Sequence, residues 1–103
     1  MKILLQKKID AELRTLMDVG LRNKIIRNLE NFDQYFRGTL DFDTNKIEKI
    51  KHSKSNIYVL RIDANYRLIF TAEYNKDNEL VVVFLEIAKH DDFERRIFKL
   101  LNE

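Results

Sequence analysis

Residues 57–70 have the sequence IYVLRIDANYRLIF, and this stretch decides the fold. Two runs rich in β-branched and aromatic residues, Ile57–Ile62 and Tyr66–Glu73, flank the three residues Asp63-Ala64-Asn65. That pattern is typical of two strands joined by a short loop. We expect a hairpin in which Asn65 takes the left-handed conformation that such loops favour at their last position.

The length of this loop also predicts the register, because it places Ile62 opposite Tyr66. Side chains alternate between the two faces of a sheet. One face then carries an apolar set that predicts a core, and its cross-strand pairs are Leu60 with Leu68 and Tyr58 with Phe70.

The same register places Arg61 directly opposite Arg67 on the other face. Like charges in that position are unfavourable by about a few tenths to 1 kcal/mol. Two explanations remain open at this point. An acidic neighbour, for which Glu86 is the candidate, would offset the repulsion, and so would a phosphate bound by the two guanidinium groups.

A third strand is predicted for Leu80–Ala88, with Tyr74–Glu79 as the second hairpin loop. Its sequence, LVVVFLEIA, is apolar on both faces, which is typical of a strand covered on both sides near the centre of a sheet. A terminal helix should follow, capped by Asp91 or Asp92 and running through Leu101. Its apolar stripe comprises Phe93, Ile97, Leu100 and Leu101.

The N-terminal third predicts a strand over Lys2–Ile9 and two helices. Asp10 is expected to cap the first helix, which runs from about Ala11 to Met17. A second helix follows Gly20 and is ended by Gly38. Its apolar residues recur every three or four positions, as a buried helix face requires, and they are Leu21, Ile25, Leu29, Phe32 and Phe36.

The predicted fold class is therefore α+β. A strand and a two-helix hairpin pack on an antiparallel sheet of about four strands, and a helix ends the chain. The length of 103 residues suits a single domain spanning residues 1–103, and 45% apolar residues suit a folded protein. Because cysteine is absent, disulfides, thiolate zinc sites and cysteine nucleophiles are excluded. We expect a soluble cytoplasmic protein that uses neither a metal nor a cofactor.

A net charge of +2 does not by itself indicate a nucleic-acid partner, so the placement of the charges matters. The basic residues are Lys46, Lys49, Lys51, His52 and Lys54 in the connector Asp41–Asn56, Arg61 and Arg67 in the hairpin, and Lys89 and His90 after the third strand. If they converge on one surface, an RNA or DNA backbone is the natural ligand. The plainer alternatives are that the lysines only keep the protein soluble and that His90 is a polar residue at the start of a helix.

These segments resemble the RelE/ParE toxin superfamily. The hairpin of residues 58–70 fits the family's pattern L-R…Y-R-x-x-[YF]. In the family an apolar strand and a polar exit H/K-R/H-x-[DE] follow, and the third strand with Lys89-His90-Asp91-Asp92 fits these parts. The resemblance implies the toxin of a type II toxin–antitoxin system, with a cognate antitoxin that covers the active face. The RelE-like branch, which we favour, cuts mRNA in the ribosomal A site and so inhibits translation, without a metal. The ParE-like branch inhibits DNA gyrase instead.

The resemblance also implies roles for individual residues. Arg61 would clamp the scissile phosphate, whereas Arg67 occupies a position that is often structural. His90 lies at a position usually held by arginine or histidine. Lys49 and Lys51 lie where the family places basic residues before the hairpin, and they would contact the nucleic-acid backbone or serve in proton transfer. From the charge pattern, we expect Lys46, Lys54 and Lys89 to contact the backbone as well.

One feature of the family is missing from this sequence. Many relatives have a tyrosine early in the terminal segment, whereas this chain has Glu94 there and no tyrosine after Tyr74. Glu94 or His90 would then act as the base. The missing tyrosine also keeps two alternatives open, a ParE-like gyrase inhibitor that cuts nothing and an inactive RelE-fold interaction module.

Overall fold

The computed structural model describes residues 1–38, 41–50 and 56–101. The strands are β1 (Lys2–Leu5), β2 (Phe36–Gly38), β3 (Asp41–Phe42), β4 (Ile47–Lys49), β5 (Ile57–Arg61), β6 (Tyr66–Tyr74) and β7 (Leu80–Lys89). The helices are α1 (Lys7–Thr15), α2 (Val19–Glu30) and α3 (Phe93–Leu101), with a 3₁₀ turn at Phe32–Tyr35. No helix within the described ranges is long and apolar enough to span a membrane.

The main sheet has five strands in the order β1-β7-β6-β5-β4, and β2 and β3 form a separate two-stranded sheet. The predicted α+β class is confirmed. The main sheet has one strand more than the expected four or so, because part of the basic connector forms β4 and pairs with β5. It is also mixed rather than antiparallel, since β1 runs parallel to β7.

The predicted hairpin register is confirmed, with Arg61 opposite Arg67. The prediction for Asn65 was wrong, since among the described non-glycine residues it is Asn78 that has a positive φ, of 61°. The loop is closed by Asp63 instead. Its Oδ1 accepts the backbone N–H of Asn65 at 2.8 Å and that of Tyr66 at 2.9 Å.

The first strand is shorter than predicted and α1 begins earlier. Ile9 and Leu13 are buried four residues apart, which is the spacing of one helix face. Asp10 therefore lies inside the helix, where it forms an ion pair with Arg14 at 3.0 Å, and it does not cap the helix.

The second helix ends at Glu30, not at Gly38 as predicted. Asp18 caps its start by accepting the N–H of Leu21 at 2.9 Å. Phe32 and Phe36 continue the apolar spacing beyond the helix, but they lie in the 3₁₀ turn and in β2. Phe32 is fully buried against Phe70 and Phe84, so the aromatic pattern indicated burial correctly and helix extent incorrectly.

The main sheet has a different core on each face. On the helix face, α1 and α2 pack on a cluster that includes Tyr58, Leu60, Leu68 and Phe70. On the opposite face, which we call the α3 face, the cluster comprises Ile57, Val59, Ile69, Ala88 and Ile97 of α3. The middle strand is β6 rather than β7, which lies between β6 and β1.

Candidate functional site

A cleft of about 320 Å³ opens beside the start of β4 and the loop end of the hairpin. It is lined by Thr44, Asn45, Lys46, Ile47, Glu48, Lys49, Val59, Arg61 and Arg67, and we call it the arginine cleft. Arg61 and Arg67 are each two residues from a core residue of the α3 face, so their side chains lie on that face. Arg61 is exposed, whereas Arg67 is only 8% exposed.

The guanidinium group of Arg67 is held by several hydrogen bonds. Its Nη1 donates to the carbonyl oxygens of Asp63 and, at 3.0 Å, of Tyr66. Its Nη2 lies 3.3 Å from Nδ1 of His90. A guanidinium group has no acceptor, so Nδ1 must accept this bond and a neutral His90 carries its proton on Nε2. Arg67 therefore fixes both the loop and the orientation of the imidazole ring.

Burial lowers the pKa of Arg67, and the neighbouring charge of Arg61 lowers it further. The charges of Asp63 and Glu48 act in the opposite direction. An arginine whose pKa is lowered from its usual high value remains charged at neutral pH. The arginine cleft thus contains two close positive charges, and one of them has lost most of its contact with solvent.

Glu48 is the site residue that the sequence analysis missed. It pairs with Val59 across β4 and β5, which places its side chain on the α3 face with the two arginines. Glu86, the acidic neighbour suggested by the sequence, forms ion pairs with Lys8 at 2.8 Å and with Arg96 at 3.3 Å instead. Glu48 and Asp63 are the acidic residues whose charges act on Arg67.

The side chains of Lys46 and Lys49 point away from the arginines. The Nζ of Lys46 donates to Oδ1 of Asn28 at 3.1 Å and lies 5.4 Å from the ring centre of Tyr35. The Nζ of Lys49 lies 5.9 Å from the ring centre of Tyr58, which belongs to the core of the helix face. Both lysines line the arginine cleft, but the structure does not bring their ammonium groups together with Arg61.

The exit of β7 is tied to the hairpin loop. The backbone N–H of His90 donates to the carbonyl oxygen of Asn65 at 2.7 Å, and exposed Lys89 pairs with Tyr66 across the strands. Glu94 lies in the first turn of α3. Lys51 and Lys54, together with His52, lie outside the described residues.

A salt bridge from α2 supports the loop that holds Arg67. The Nζ of Lys24 lies 3.2 Å from Oδ2 of Asp63. Burial raises the pKa of the Asp63 carboxyl group, but the backbone N–H groups and Lys24 together outweigh it and lower the pKa below 3.8. Asp63 therefore connects the helix pair, the loop backbone and the arginine cleft.

The same fold occurs in several solved structures, of which three are described below. One is a YoeB/ParE toxin from Agrobacterium tumefaciens, with a TM-score of 0.58, 19% identity, and coverage of 87% of this chain and 99% of the toxin. The chain has the RelE/ParE toxin fold. No protein-family model matches the sequence, and comparison with curated proteins finds no significant match.

The other two structures share this fold. A heterotetrameric YoeB–YefM toxin–antitoxin complex from Staphylococcus aureus matches with a TM-score of 0.54 and 21% identity, over 87% of this chain and 97% of that one. The conserved hypothetical protein HP0894 from Helicobacter pylori matches with a TM-score of 0.51 and 20% identity, over 88% and 96%. At these identities the likeness establishes the fold.

Replacing Asp63 with asparagine tests the anchoring of the loop. The amide oxygen of Asp63→Asn can still accept the two backbone N–H bonds, so the substitution removes mainly the charge. Because the pKa of Asp63 is lower in the folded state, its charge stabilises the fold above pH 3.8 and this contribution is lost as the pH falls through the folded-state pKa. We expect the variant to lose up to about 1 kcal/mol of unfolding free energy at pH 7.

Urea denaturation between pH 7 and pH 3 measures this difference, which should shrink towards zero at the acidic end. The control is Asp77→Asn, in the exposed loop at the other end of β6. A difference for Asp63→Asn that stays constant with pH would contradict the anchoring role.

Proposed function

We propose that this chain is the toxin of a toxin–antitoxin pair and acts as a ribosome-dependent mRNA endonuclease of the RelE-like kind. The observation that carries the proposal is the arrangement around Arg67, which gathers Arg61, Glu48 and His90 at one end of the sheet. The RelE/ParE fold supports the toxin role, since two of its structural neighbours are described as toxins.

The arrangement suits cleavage of RNA by its own ribose. In that reaction the 2′-hydroxyl oxygen attacks the adjacent phosphorus, a cyclic phosphate forms, and the 5′-oxygen of the next nucleotide leaves. A base must take the hydroxyl proton, cations must stabilise the added negative charge, and an acid must protonate the leaving oxygen. All of these steps can be performed by side chains alone.

The residues of the arginine cleft supply these functions. Arg61 is exposed, so it is available to bind the phosphate and to stabilise its charge in the transition state. Buried Arg67 adds a fixed positive charge next to Arg61 and orients His90. Glu48 is the carboxylate on the same face and takes the role of base. The sequence had suggested Glu94 or His90 for that role. His90, with its proton on Nε2, donates a hydrogen bond to the phosphate, and the proton that Glu48 has taken passes to the leaving oxygen.

A ParE-like gyrase inhibitor is the second candidate. The observation in its favour is the absence of any tyrosine after Tyr74, where many RelE-like relatives have one. An inactive interaction module with the same fold is the third. The assignment of Glu48 to proton transfer and of His90 to the phosphate removes the need for the tyrosine, and it therefore favours the nuclease.

The helix side of the molecule offers a surface for the antitoxin. Strand β1 lies at the edge of the sheet, and Ile3, Leu4 and Leu5 are 39–42% exposed. Beside it is a groove of about 760 Å³ with an apolar floor and a rim that carries charges of both signs. Its lining residues are Ile3, Leu5, Asp10, Leu13, Arg14, Arg22, Ile26, Leu29 and Glu30. An amphipathic antitoxin helix fits such a groove.

The decisive substitution for the nuclease is Arg61→Ala. Its side chain is exposed, so the fold should be retained while the main phosphate contact is lost. We expect mRNA cleavage in a translation extract to fall by about 10²- to 10³-fold, the usual effect of removing one group that stabilises transition-state charge. The control is Arg27→Ala, an exposed arginine on α2 with the same change in charge.

Three results would contradict the proposal. The first is a wild-type protein that cuts no mRNA on translating ribosomes, and the second is an Arg61→Ala variant that cuts at the wild-type rate. If the wild type instead blocks DNA supercoiling by gyrase, the second candidate function replaces the first.

For the antitoxin surface, the test is Ile26→Glu. Ile26 is 39% exposed in the apolar groove, so a charge there should leave the fold intact and oppose the docking of an apolar helix face. We expect the variant to lose co-purification with the product of the adjacent gene. Val19→Glu, at a residue 54% exposed outside the groove, should retain it. Equal co-purification of the two variants would contradict the assigned surface.

A further inference from the structure

A second cleft, of about 290 Å³, lies at the end of the sheet where β6 begins and β7 ends. It is lined by Ala64, Asn65, Tyr66, Lys89, His90 and Asp91, and we call it the loop cleft. Its volume is close to the lower limit for small-molecule sites, about 300 Å³. Of these residues, the reaction proposed above uses only His90.

The two clefts meet at a single contact. Arg67 lines the arginine cleft and His90 lines the loop cleft, and their side chains are joined by the 3.3 Å contact between Nη2 and Nδ1. A phosphate bound by Arg61 in the arginine cleft therefore lies on one side of this contact, and the loop cleft lies on the other. A phosphodiester continues into a nucleoside, so the geometry matches a strand that runs from the arginine cleft past His90 into the loop cleft.

The groups that line the loop cleft suit a nucleoside better than a second phosphate. Lys89 and Asp91 are both exposed and have opposite charges, so the cleft lacks the strong positive charge that an anion requires. The side-chain amide of Asn65 offers both a donor and an acceptor, as the edge of a base requires.

Asn65 is also well placed, because its backbone is fixed on both sides. Its N–H donates to Oδ1 of Asp63 at 2.8 Å, and its carbonyl oxygen accepts the N–H of His90 at 2.7 Å. The exposed side chain therefore projects from a rigid position next to the histidine. Neither backbone bond depends on the side chain, so Asn65→Ala preserves both.

We infer that the loop cleft is a subsite for the base and ribose of the nucleotide adjacent to the scissile phosphate, with Asn65 contacting the edge of the base. The inference rests on the proposed function, because it places this nucleotide beside the phosphate that Arg61 binds. It adds a residue that recognises the substrate to a site otherwise built for the phosphate.

The test compares two probes by NMR titration of the whole chain. One is a 2′-O-methyl trinucleotide, which cannot be cleaved because its attacking hydroxyl is blocked, and the other is inorganic phosphate. We expect the trinucleotide to shift the backbone resonances of residues 64–66 and 89–91 as well as those around Arg61. Phosphate should shift only the resonances around Arg61 and Arg67.

Asn65→Ala should weaken trinucleotide binding by about 2- to 10-fold, as the loss of one neutral hydrogen bond does, and leave phosphate binding unchanged. The control is Asn23→Ala, at an exposed position on α2. If the wild type binds the trinucleotide but Asn65→Ala binds it equally well, or if residues 64–66 and 89–91 do not respond, the subsite is overturned. The proposed nuclease function is overturned separately, by a wild-type protein that cuts no mRNA on translating ribosomes.

Discussion

The structure depends on how the guanidinium group of Arg67 is buried. A cation with 8% exposure next to a second arginine is costly unless its donors are satisfied and opposite charges lie nearby. The loop carbonyl oxygens, the ring nitrogen of His90 and the charges of Asp63 and Glu48 meet these requirements. The loop, the exit of β7 and strand β4 are consequently held around one side chain, and Arg61 remains available to a ligand.

Because Arg67 is buried in this way, the two arginines have different roles, and so do the two faces of the sheet. Arg67 is a fixed structural charge, whereas Arg61 is the exposed one. On the helix face, Lys46 contacts Asn28 and Tyr35, and Lys49 contacts Tyr58. The apolar groove beside β1 lies on that same side. The proposed chemistry and the proposed antitoxin surface therefore occupy opposite faces, so an antitoxin helix in the groove would leave the arginine cleft uncovered.

The sequence predicted the hairpin well because both of its signals are local. The alternation of apolar residues and the three-residue loop together specify the pairing of Arg61 with Arg67. It predicted the end of α2 poorly, because the spacing of Phe32 and Phe36 continues past Glu30 although the backbone leaves the helix. Glu48 was missed for a related reason. Strand β4 has three residues, too few to show an alternating pattern within a polar segment. The directions of Lys46 and Lys49 depend on partners distant in sequence, which spacing does not indicate.

Single-turnover cleavage of mRNA on programmed ribosomes by Glu48→Gln tests the proposed active site most sharply. The amide keeps the size of the side chain but cannot take a proton from the attacking hydroxyl. We expect a rate lower by about 10²- to 10⁴-fold, the range for loss of a general base, with Glu30→Gln at the wild-type rate. Wild-type cleavage by Glu48→Gln would contradict the central claim that the residues gathered around Arg67 form the active site.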